Sequence, residues 1–157
     1  MDDLLNSLSE CYPAIPGSLP IARRAVTALA AEGGATDEEI DEIRLAVSEA
    51  LTNVILHAYQ DDPGDIHLTV AVAGGELWVL VGDDGGGLRP RSDRSGLGLG
   101  LALIAQSCDE LTIVKRSGGG TELRMRFRLE AATSDDRSRG SVAAASSQAA
   151  SVLATTT

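Results

Sequence analysis

Residues 46–59 read AVSEALTNVILHAY, and this stretch carries most of the information about the architecture of the chain. From residue 40 to residue 54, apolar side chains recur at intervals of three and four, which is the pattern of one buried helix face. The stripe consists of Ile40, Ile43, Val47, Ala50, Leu51 and Val54. Upstream, Thr36 and Glu39 have the spacing of a capping box, in which each side chain satisfies the other's free backbone amide. The sequence therefore predicts an amphipathic helix from Thr36 to about Tyr59.

Two polar residues of this helix, Glu49 and Asn53, are four positions apart and therefore lie one turn apart on the same side. A carboxylate beside a carboxamide suits metal-assisted phosphoryl chemistry, because the amide oxygen is a hard, neutral ligand for Mg²⁺ that phosphates already bind. The carboxylate can accept a proton from an attacking hydroxyl group or water. Taken alone, the same spacing occurs on many solvated helix faces, so the pair by itself favours that ordinary interpretation.

The segments around this helix alternate in a way that predicts one sheet covered by helices. Residues 19–31 have helical composition, whereas residues 65–73 alternate apolar and polar side chains as a half-buried strand does. Gly74 and Gly75 predict a hairpin to an apolar strand at 77–81. Further strands are predicted at 7–12, 110–116 and 121–129, a long loop at 82–100 and a helix at 98–107. The predicted fold class is α/β, a two-layer α+β sandwich in which one mixed, mostly antiparallel sheet has its helices on one face.

An acidic, glycine-rich stretch, GDDGGG at residues 82–87, follows the apolar strand. At the carboxyl end of a strand, the Asp83 carboxylate can face a pocket and accept a hydrogen bond from an exocyclic amine such as that of adenine. Glycines such as Gly85 and Gly87 let a ligand ring approach the backbone closely. The alternative interpretation is a plain turn, because Asp and Gly are the commonest turn residues.

A second glycine-rich stretch, GLGLGL at residues 96–101, leads into the helix predicted at 98–107. Glycines before a helix let backbone N–H groups and the positive end of the helix meet phosphates. The stretch is not a Walker A loop, because no Gly-Lys-Ser/Thr follows, and it lacks the spacing of a dinucleotide-binding fingerprint. The alternative is a flexible linker, which the alternating leucines disfavour.

A third candidate is Thr121, which follows Gly119 and Gly120 at the start of the last predicted strand. Its hydroxyl group can support a nucleotide base or a water molecule bound to that base. The alternative interpretation is a simple β-turn.

Composition excludes several classes of function. Among 157 residues, Lys and Arg number 13 and Asp and Glu 23, which gives a net charge of −10. Such an acidic chain is a poor candidate for sequence-independent binding to nucleic acid or anionic lipid. No apolar run is long enough for a membrane span, and the first residues lack the basic region of a signal peptide. Cys11 and Cys108 lie far apart without metal-ligand spacing, so we expect a reduced, cytoplasmic protein.

Residues 131–157 differ in composition from the rest of the chain. They consist largely of Ala, Ser and Thr. Such a segment cannot bury enough surface to offset the entropy of ordering it. We therefore predict a disordered tail or a poorly ordered extra helix there, and place the folded domain at 6–130.

In their order and spacing, these motifs resemble the boxes of the GHKL (Bergerat-fold) ATP-binding superfamily, which includes DNA gyrase, histidine kinases and mismatch-repair ATPases. The boxes are Glu49-x-x-x-Asn53, Asp83-x-Gly85-x-Gly87, Gly98-Leu99-Gly100-Leu101 and Gly120-Thr121. Residues 46–59 and 98–104, with 109–111, are similar to bacterial anti-sigma-factor serine/threonine kinases. The resemblance covers about residues 7–129 and implies the Bergerat-type ATP-binding fold.

The resemblance implies a role for each matching residue. It makes Asn53 the Mg²⁺ ligand and Glu49 the general base, and it places Asp83 on the adenine amino group, assisted by Thr121 through water. Contacts to the phosphates of ATP, or hinges of the lid over it, are implied for Gly85, Gly87, Gly98, Leu99 and Gly100. His57 can lie near the phosphates, although a histidine at a helix C-terminus is also favoured by the helix dipole.

The same resemblance implies an activity. The chain is expected to be an ATP-binding anti-sigma factor with serine/threonine kinase activity, which sequesters a sigma factor and phosphorylates an anti-anti-sigma protein. Arg23 matches an arginine that contacts both partners in turn, and a homodimer without direct contacts to nucleic acid or membrane is implied. The alternative is a non-catalytic binding switch that holds ATP and sequesters a regulatory partner. A detached histidine-kinase domain fits poorly, because His57 and His67 both lie inside the domain.

Overall fold

A computed structural model describes residues 6–86 and 97–130. The described elements are β1 (Ser7–Pro13), α1 (Ser18–Glu32), α2 (Asp37–Asn53), a π-helical turn (Val54–Ala58), β2 (Asp65–Ala73), β3 (Glu76–Asp83), α3 (Leu97–Ser107), β4 (Glu110–Lys115) and β5 (Thr121–Arg128). No described helix combines the length and the apolar character that crossing a bilayer requires. The predicted tail, 131–157, lies outside the described residues, so its boundary with the domain stays a prediction.

The capping box begins α2 as the sequence predicts. The Glu39 backbone N–H donates to the Thr36 hydroxyl oxygen at 3.2 Å, and the Thr36 backbone N–H donates to the Glu39 carboxylate at 2.8 Å. The predicted apolar stripe is the buried face of the helix, where Ile43, Val47 and Leu51 are fully buried. Local sequence therefore sets both the start of this helix and the face that it turns toward the core.

The end of this helix differs from the prediction. Instead of one regular helix to Tyr59, α2 ends at Asn53 and a π-helical turn follows. The wider turn presents the Ala58 carbonyl oxygen to the segment after β3, where it accepts a hydrogen bond from the Gly86 N–H at 2.8 Å. A contact with a residue so far away along the chain is invisible to helical periodicity.

The five strands form one sheet in the order β1-β2-β3-β5-β4. The hairpin between β2 and β3 turns at Gly74 and Gly75, both at positive φ (59° and 74°), as a tight hairpin turn requires. All pairings between described strands are antiparallel. Strands β3 and β4 run in the same direction on either side of α3, but β5 lies between them. The antiparallel two-layer prediction is therefore confirmed, whereas the parallel pairing that a mixed sheet implies is absent from the described strands.

The helices and the inward-facing strand residues enclose one apolar core. The fully buried side chains come from every layer: Val26 of α1, Ile43, Val47 and Leu51 of α2, Leu77 and Val79 of β3, Ile104 of α3 and Met125 of β5. The long loop predicted at 82–100 is shorter at both ends, because β3 extends to Asp83 and α3 begins at Leu97. The ladder continues through Gly82, which pairs with His67 of β2 and Glu122 of β5, since backbone pairing does not need a side chain.

Candidate functional site

A cleft lies between the end of α2 and the sheet. It is lined by Asn53, Val54, His57, Ala58, Val81, Asp83, Thr121 and Leu123. Three residues that the sequence singled out separately, Asn53, Asp83 and Thr121, therefore share one cavity. The apolar members of the lining provide a surface that a flat aromatic ring can contact.

Asp83 is the buried acid of this cleft. It is the last residue of β3 and is 5% exposed. The Gly85 backbone N–H donates to its carboxylate at 2.9 Å, and the Thr121 backbone N–H also bonds to it. Burial raises the pKa of Asp83, while these two backbone bonds lower it, the nearby Asp84 raises it and Arg116 lowers it. The bonds fix the orientation of the carboxylate, which remains an acceptor for a donor on a ligand.

The segment after Asp83 is joined tightly to the end of the π-helical turn. A Cβ atom on Gly85 would lie 2.0 Å from the Ala58 carbonyl oxygen, so only glycine fits there. The Tyr59 hydroxyl group donates to the Asp65 carbonyl oxygen at 2.5 Å and accepts from the Asp84 N–H at 2.9 Å. Tyr59 thus holds the backbone next to Asp83 in place. Sequence reasoning did not identify this role, because the bond between Tyr59 and Asp84 joins residues 25 positions apart, and no local pattern pairs them.

Gly120 brings β5 against the end of β3. Its φ is +90°, and a Cβ atom on it would lie 1.9 Å from the Asp83 carbonyl oxygen. The backbones of the two segments are therefore in direct contact, which places Thr121 beside Asp83. The sequence predicts Gly120 as part of a turn. Glycine is needed there both for the positive φ and for the close approach to the Asp83 backbone.

We expect Gly120→Ala to destabilise the fold by roughly 3 kcal/mol, from the unfavourable left-handed conformation and the clash with the Asp83 backbone. Denaturant unfolding of the purified protein measures this loss. Gly118→Ala, in the same turn with open space around it, is the matched control and should change stability by less than about 1 kcal/mol. Equal stability of the two variants would contradict the close contact.

Glu49 and Asn53 meet α3 at the other end of the site. A Cβ atom on Gly100 would lie 3.1 Å from Glu49 Oε2 and 3.6 Å from Asn53 Oδ1. Asn53 is 8% exposed, and its Nδ2 atom is buried without a hydrogen-bond partner in the part of the chain that the structure describes. An unpaired buried amide is costly, which makes this group a candidate for bonding to a ligand.

These observations fit a magnesium ion bound jointly with phosphates. Gly100 leaves room beside the Glu49 and Asn53 oxygens, and the unpaired Asn53 amide group can donate to an incoming phosphate oxygen. Among the described residues there is no group of three or more His, Cys, Asp or Glu side chains that could hold a metal.

The remaining predicted residues are distributed around the site. Gly98, Leu99 and Gly100 lie in the first turns of α3 rather than before it. The Leu99 side chain is 68% exposed and has no hydrogen-bonding group, so only the Leu99 backbone could bond to a phosphate. Arg23 lies on α1, where its guanidinium group donates to the Ser48 hydroxyl at 3.4 Å. Gly87 lies outside the described residues.

Comparison with known proteins gives a family match and several named relatives. The family described as "Histidine kinase-like ATPase domain" matches residues 12–127. The chain is 29% identical over 140 residues to an anti-sigma F factor of Shouchella clausii, covering 80% of this chain and 94% of that protein. It is 34% identical over 115 residues to an anti-sigma F factor of a Thermoanaerobacter species, covering 66% of this chain and 80% of that protein.

A solved structure shares the architecture. The crystal structure of the RsbU and RsbW domains of a Mycobacterium tuberculosis protein superposes with a TM-score of 0.62 at 28% identity. The match covers 78% of this chain but only 32% of that longer chain. Since the family match includes both the α2 pair and the Asp83 segment, the protein belongs to the histidine kinase-like ATPase family of the GHKL superfamily.

Proposed function

We propose that this protein is an ATP-binding anti-sigma factor with serine/threonine kinase activity. In this proposal it sequesters a sigma factor and transfers the γ-phosphoryl group of ATP to a serine or threonine of an anti-anti-sigma protein. The observation that carries the proposal is the single cleft in which buried Asp83 and unpaired Asn53 lie with Thr121. The names of the curated relatives support the sigma-factor partner.

The adenine end of the ATP site is assigned to Asp83. Its oriented carboxylate accepts a hydrogen bond from the exocyclic amine of adenine, and Thr121 assists through water. Val54, Val81 and Leu123 pack against the ring, since they line the same cleft. A guanine ring presents a carbonyl oxygen where adenine has its amine, so the buried carboxylate selects against it.

The phosphate end is assigned to α2 and the start of α3. Asn53 would hold Mg²⁺, and the ion would supply positive charge to neutralise the phosphates. Glu49 accepts the proton of the attacking hydroxyl group, and the backbone of Gly98, Leu99 and Gly100 offers N–H groups to the phosphates. His57 lines the cleft next to Asn53 and faces the same ligand.

The partner surface is assigned to α1. Arg23 is half-buried, and its contact with Ser48 ties the guanidinium group to α2. Arginine held in this way recognises carboxylates with little further loss of entropy. Action as a homodimer in the cytoplasm belongs to the same proposal.

Two measurements test the proposal. Calorimetry with Mg-ATP should show binding, with GTP bound at least about tenfold more weakly. Incubation with labelled ATP, a sigma factor and its antagonist should label the antagonist on serine or threonine. A nucleotide-dependent complex without phosphoprotein would contradict the kinase and favour the binding switch, and the absence of ATP binding would contradict both.

A glycine substitution tests the phosphate end. We expect Gly100→Ala to lower the affinity for Mg-ATP by about tenfold, or ~1.4 kcal/mol, because the new methyl group occupies the space beside Glu49 and Asn53. Folding stability should not fall, since alanine is favoured over glycine in a helix by about 1 kcal/mol. Gln106→Ala, at an exposed position of α3, is the matched control and should leave the affinity unchanged. Unchanged affinity in Gly100→Ala would contradict the assignment.

A further inference from the structure

A second group of reactive side chains lies outside the ATP cleft, across strands β1, β2 and β3. Cys11 of β1 pairs in register with His67 of β2, and His67 pairs with Gly82 of β3. The Cys11 Sγ atom lies 3.7 Å from His67 Nδ1, and His67 Nε2 is hydrogen-bonded to the Asp84 carboxylate. An ionised carboxylate only accepts, so Nε2 carries a proton, and in the neutral imidazole Nδ1 presents its lone pair to the thiol.

The surroundings of this group hold it in one arrangement. The Asp84 backbone N–H donates to the Tyr59 hydroxyl group, and the Asp84 carboxylate lies 3.7 Å from the Arg116 guanidinium group. Arg116 lies over Gly82, where a Cβ atom would be 2.5 Å from its Nη1. Thiol, imidazole and carboxylate are therefore aligned as nucleophile, base and orienting group.

We propose that Cys11 is a base-assisted reactive thiol, a modification site for small disulfides. The Cys11 sulfur attacks one sulfur of the disulfide while His67 Nδ1 takes the thiol proton. A new S–S bond joins Cys11 to half of the reagent, and the old S–S bond breaks. The leaving thiolate takes the proton from His67, so one thiol is released for each thiol consumed and no further oxidant is needed. The carboxylate of Asp84 stabilises the imidazolium that forms in between.

The second cysteine provides an internal comparison. Burial and the charges of Asp65 and Asp84 raise the pKa of the Cys11 thiol, with Arg116 opposing the rise. Burial likewise raises the pKa of Cys108, whose described hydrogen bonds are to backbone groups rather than to an imidazole. Both thiols are therefore protonated at neutral pH, and within residues 6–86 and 97–130 only Cys11 has a base in position to remove its proton. This proposal does not depend on whether the cleft binds ATP.

The test uses the full-length protein and the aromatic disulfide dithiodipyridine, whose released thiopyridone is followed by absorbance. Cys108→Ser leaves only Cys11, and Cys11→Ser leaves only Cys108. We expect Cys11 to react at least about tenfold faster than Cys108 near neutral pH, with intact mass showing one adduct. In the Cys108→Ser background, His67→Gln should slow the reaction at least about tenfold. The pH at which the reaction rate rises should also move to a higher value.

Asp84→Asn in the same background is a second variant that keeps the imidazole in place. It should slow the reaction by a smaller factor, because the base loses its orienting carboxylate. Thermal unfolding verifies that each variant is folded, and either variant alone suffices for the test. Equal rates with and without His67, or faster reaction at Cys108, would overturn the proposal.

Discussion

Asp83→Asn should lower the affinity for ATP by roughly 100-fold. A hydrogen bond to a charged group contributes about 1.5–3 kcal/mol, and an asparagine amide turned toward the adenine amine would place donor against donor. The effect is large because Asp83 is almost fully buried and water cannot replace the lost interaction. Calorimetric titration with Mg-ATP measures the change.

The same substitution should not destabilise the protein without nucleotide. Burial raises the pKa of Asp83 above its ordinary value of 3.8, so the folded state binds a proton more tightly than the unfolded chain does. Stability therefore falls as the pH rises through the window between 3.8 and the raised pKa, and the ionised carboxylate costs folding free energy at neutral pH. Asparagine removes that cost, and the two lone pairs of its amide oxygen can still accept from the Gly85 and Thr121 N–H groups that bond to the Asp83 carboxylate. We expect an unchanged or higher unfolding temperature.

The control for Asp83→Asn is Asp84→Asn. Asp84 is the adjacent residue and carries the same charge, but its carboxylate bonds to His67 outside the cleft. ATP affinity in this variant should stay within about threefold of the parent, a difference below ~1 kcal/mol. Equal losses in the two variants would show that net charge, rather than a bond to adenine, sets the affinity.

Glu49→Ala should reduce phosphorylation of the antagonist protein by about 10²–10⁴-fold, the contribution that a positioned general base makes. Glu49 is half-buried beside Asn53 and Gly100, within the phosphate end of the site. Because it acts on the attacking hydroxyl group rather than on ATP, the affinity for Mg-ATP should change by less than about threefold. Single-turnover phosphorylation, compared with calorimetric binding, separates the two effects.

Glu42→Ala is the matched control for Glu49→Ala. Glu42 is an exposed glutamate of the same helix, two turns earlier, and its removal should leave phosphorylation unchanged. Full phosphorylation activity in Glu49→Ala would exclude Glu49 as the general base. Loss of ATP binding in that variant would instead assign Glu49 to ground-state binding of the nucleotide.

Much of the fold follows from local sequence. The capping box and the stripe of Ile43, Val47 and Leu51 determine where α2 begins and which face it buries, because both depend on residues a few positions apart. The alternation of apolar and polar residues predicts β2, and the paired glycines predict the hairpin. Both signals also depend on residues a few positions apart. The π-helical turn was missed because its cause is tertiary: the Ala58 carbonyl oxygen is bonded to Gly86.

The candidate site was predictable in its parts. Asn53, Asp83 and Thr121 were each identified from a motif, and the structure places them in one cleft. Local sequence could not identify Tyr59 as the residue that joins Asp65 to Asp84, nor the need for glycine at Gly120 next to the Asp83 backbone. The contacts of Tyr59 with Asp84 and of Gly120 with Asp83 connect segments that are distant along the chain.

By itself, then, the sequence determined the helices, most strand limits and the chemical identity of the groups that a nucleotide would meet. The tertiary structure decided that β5 lies between β3 and β4, that the Asn53 amide is buried without a partner, and that Cys11, His67 and Asp84 are aligned. The physical reason is the separation along the chain between the residues that interact. Hydrogen bonds within a helix or a hairpin follow from neighbouring residues, whereas strand order and side-chain alignment depend on which distant segments bury their apolar faces together.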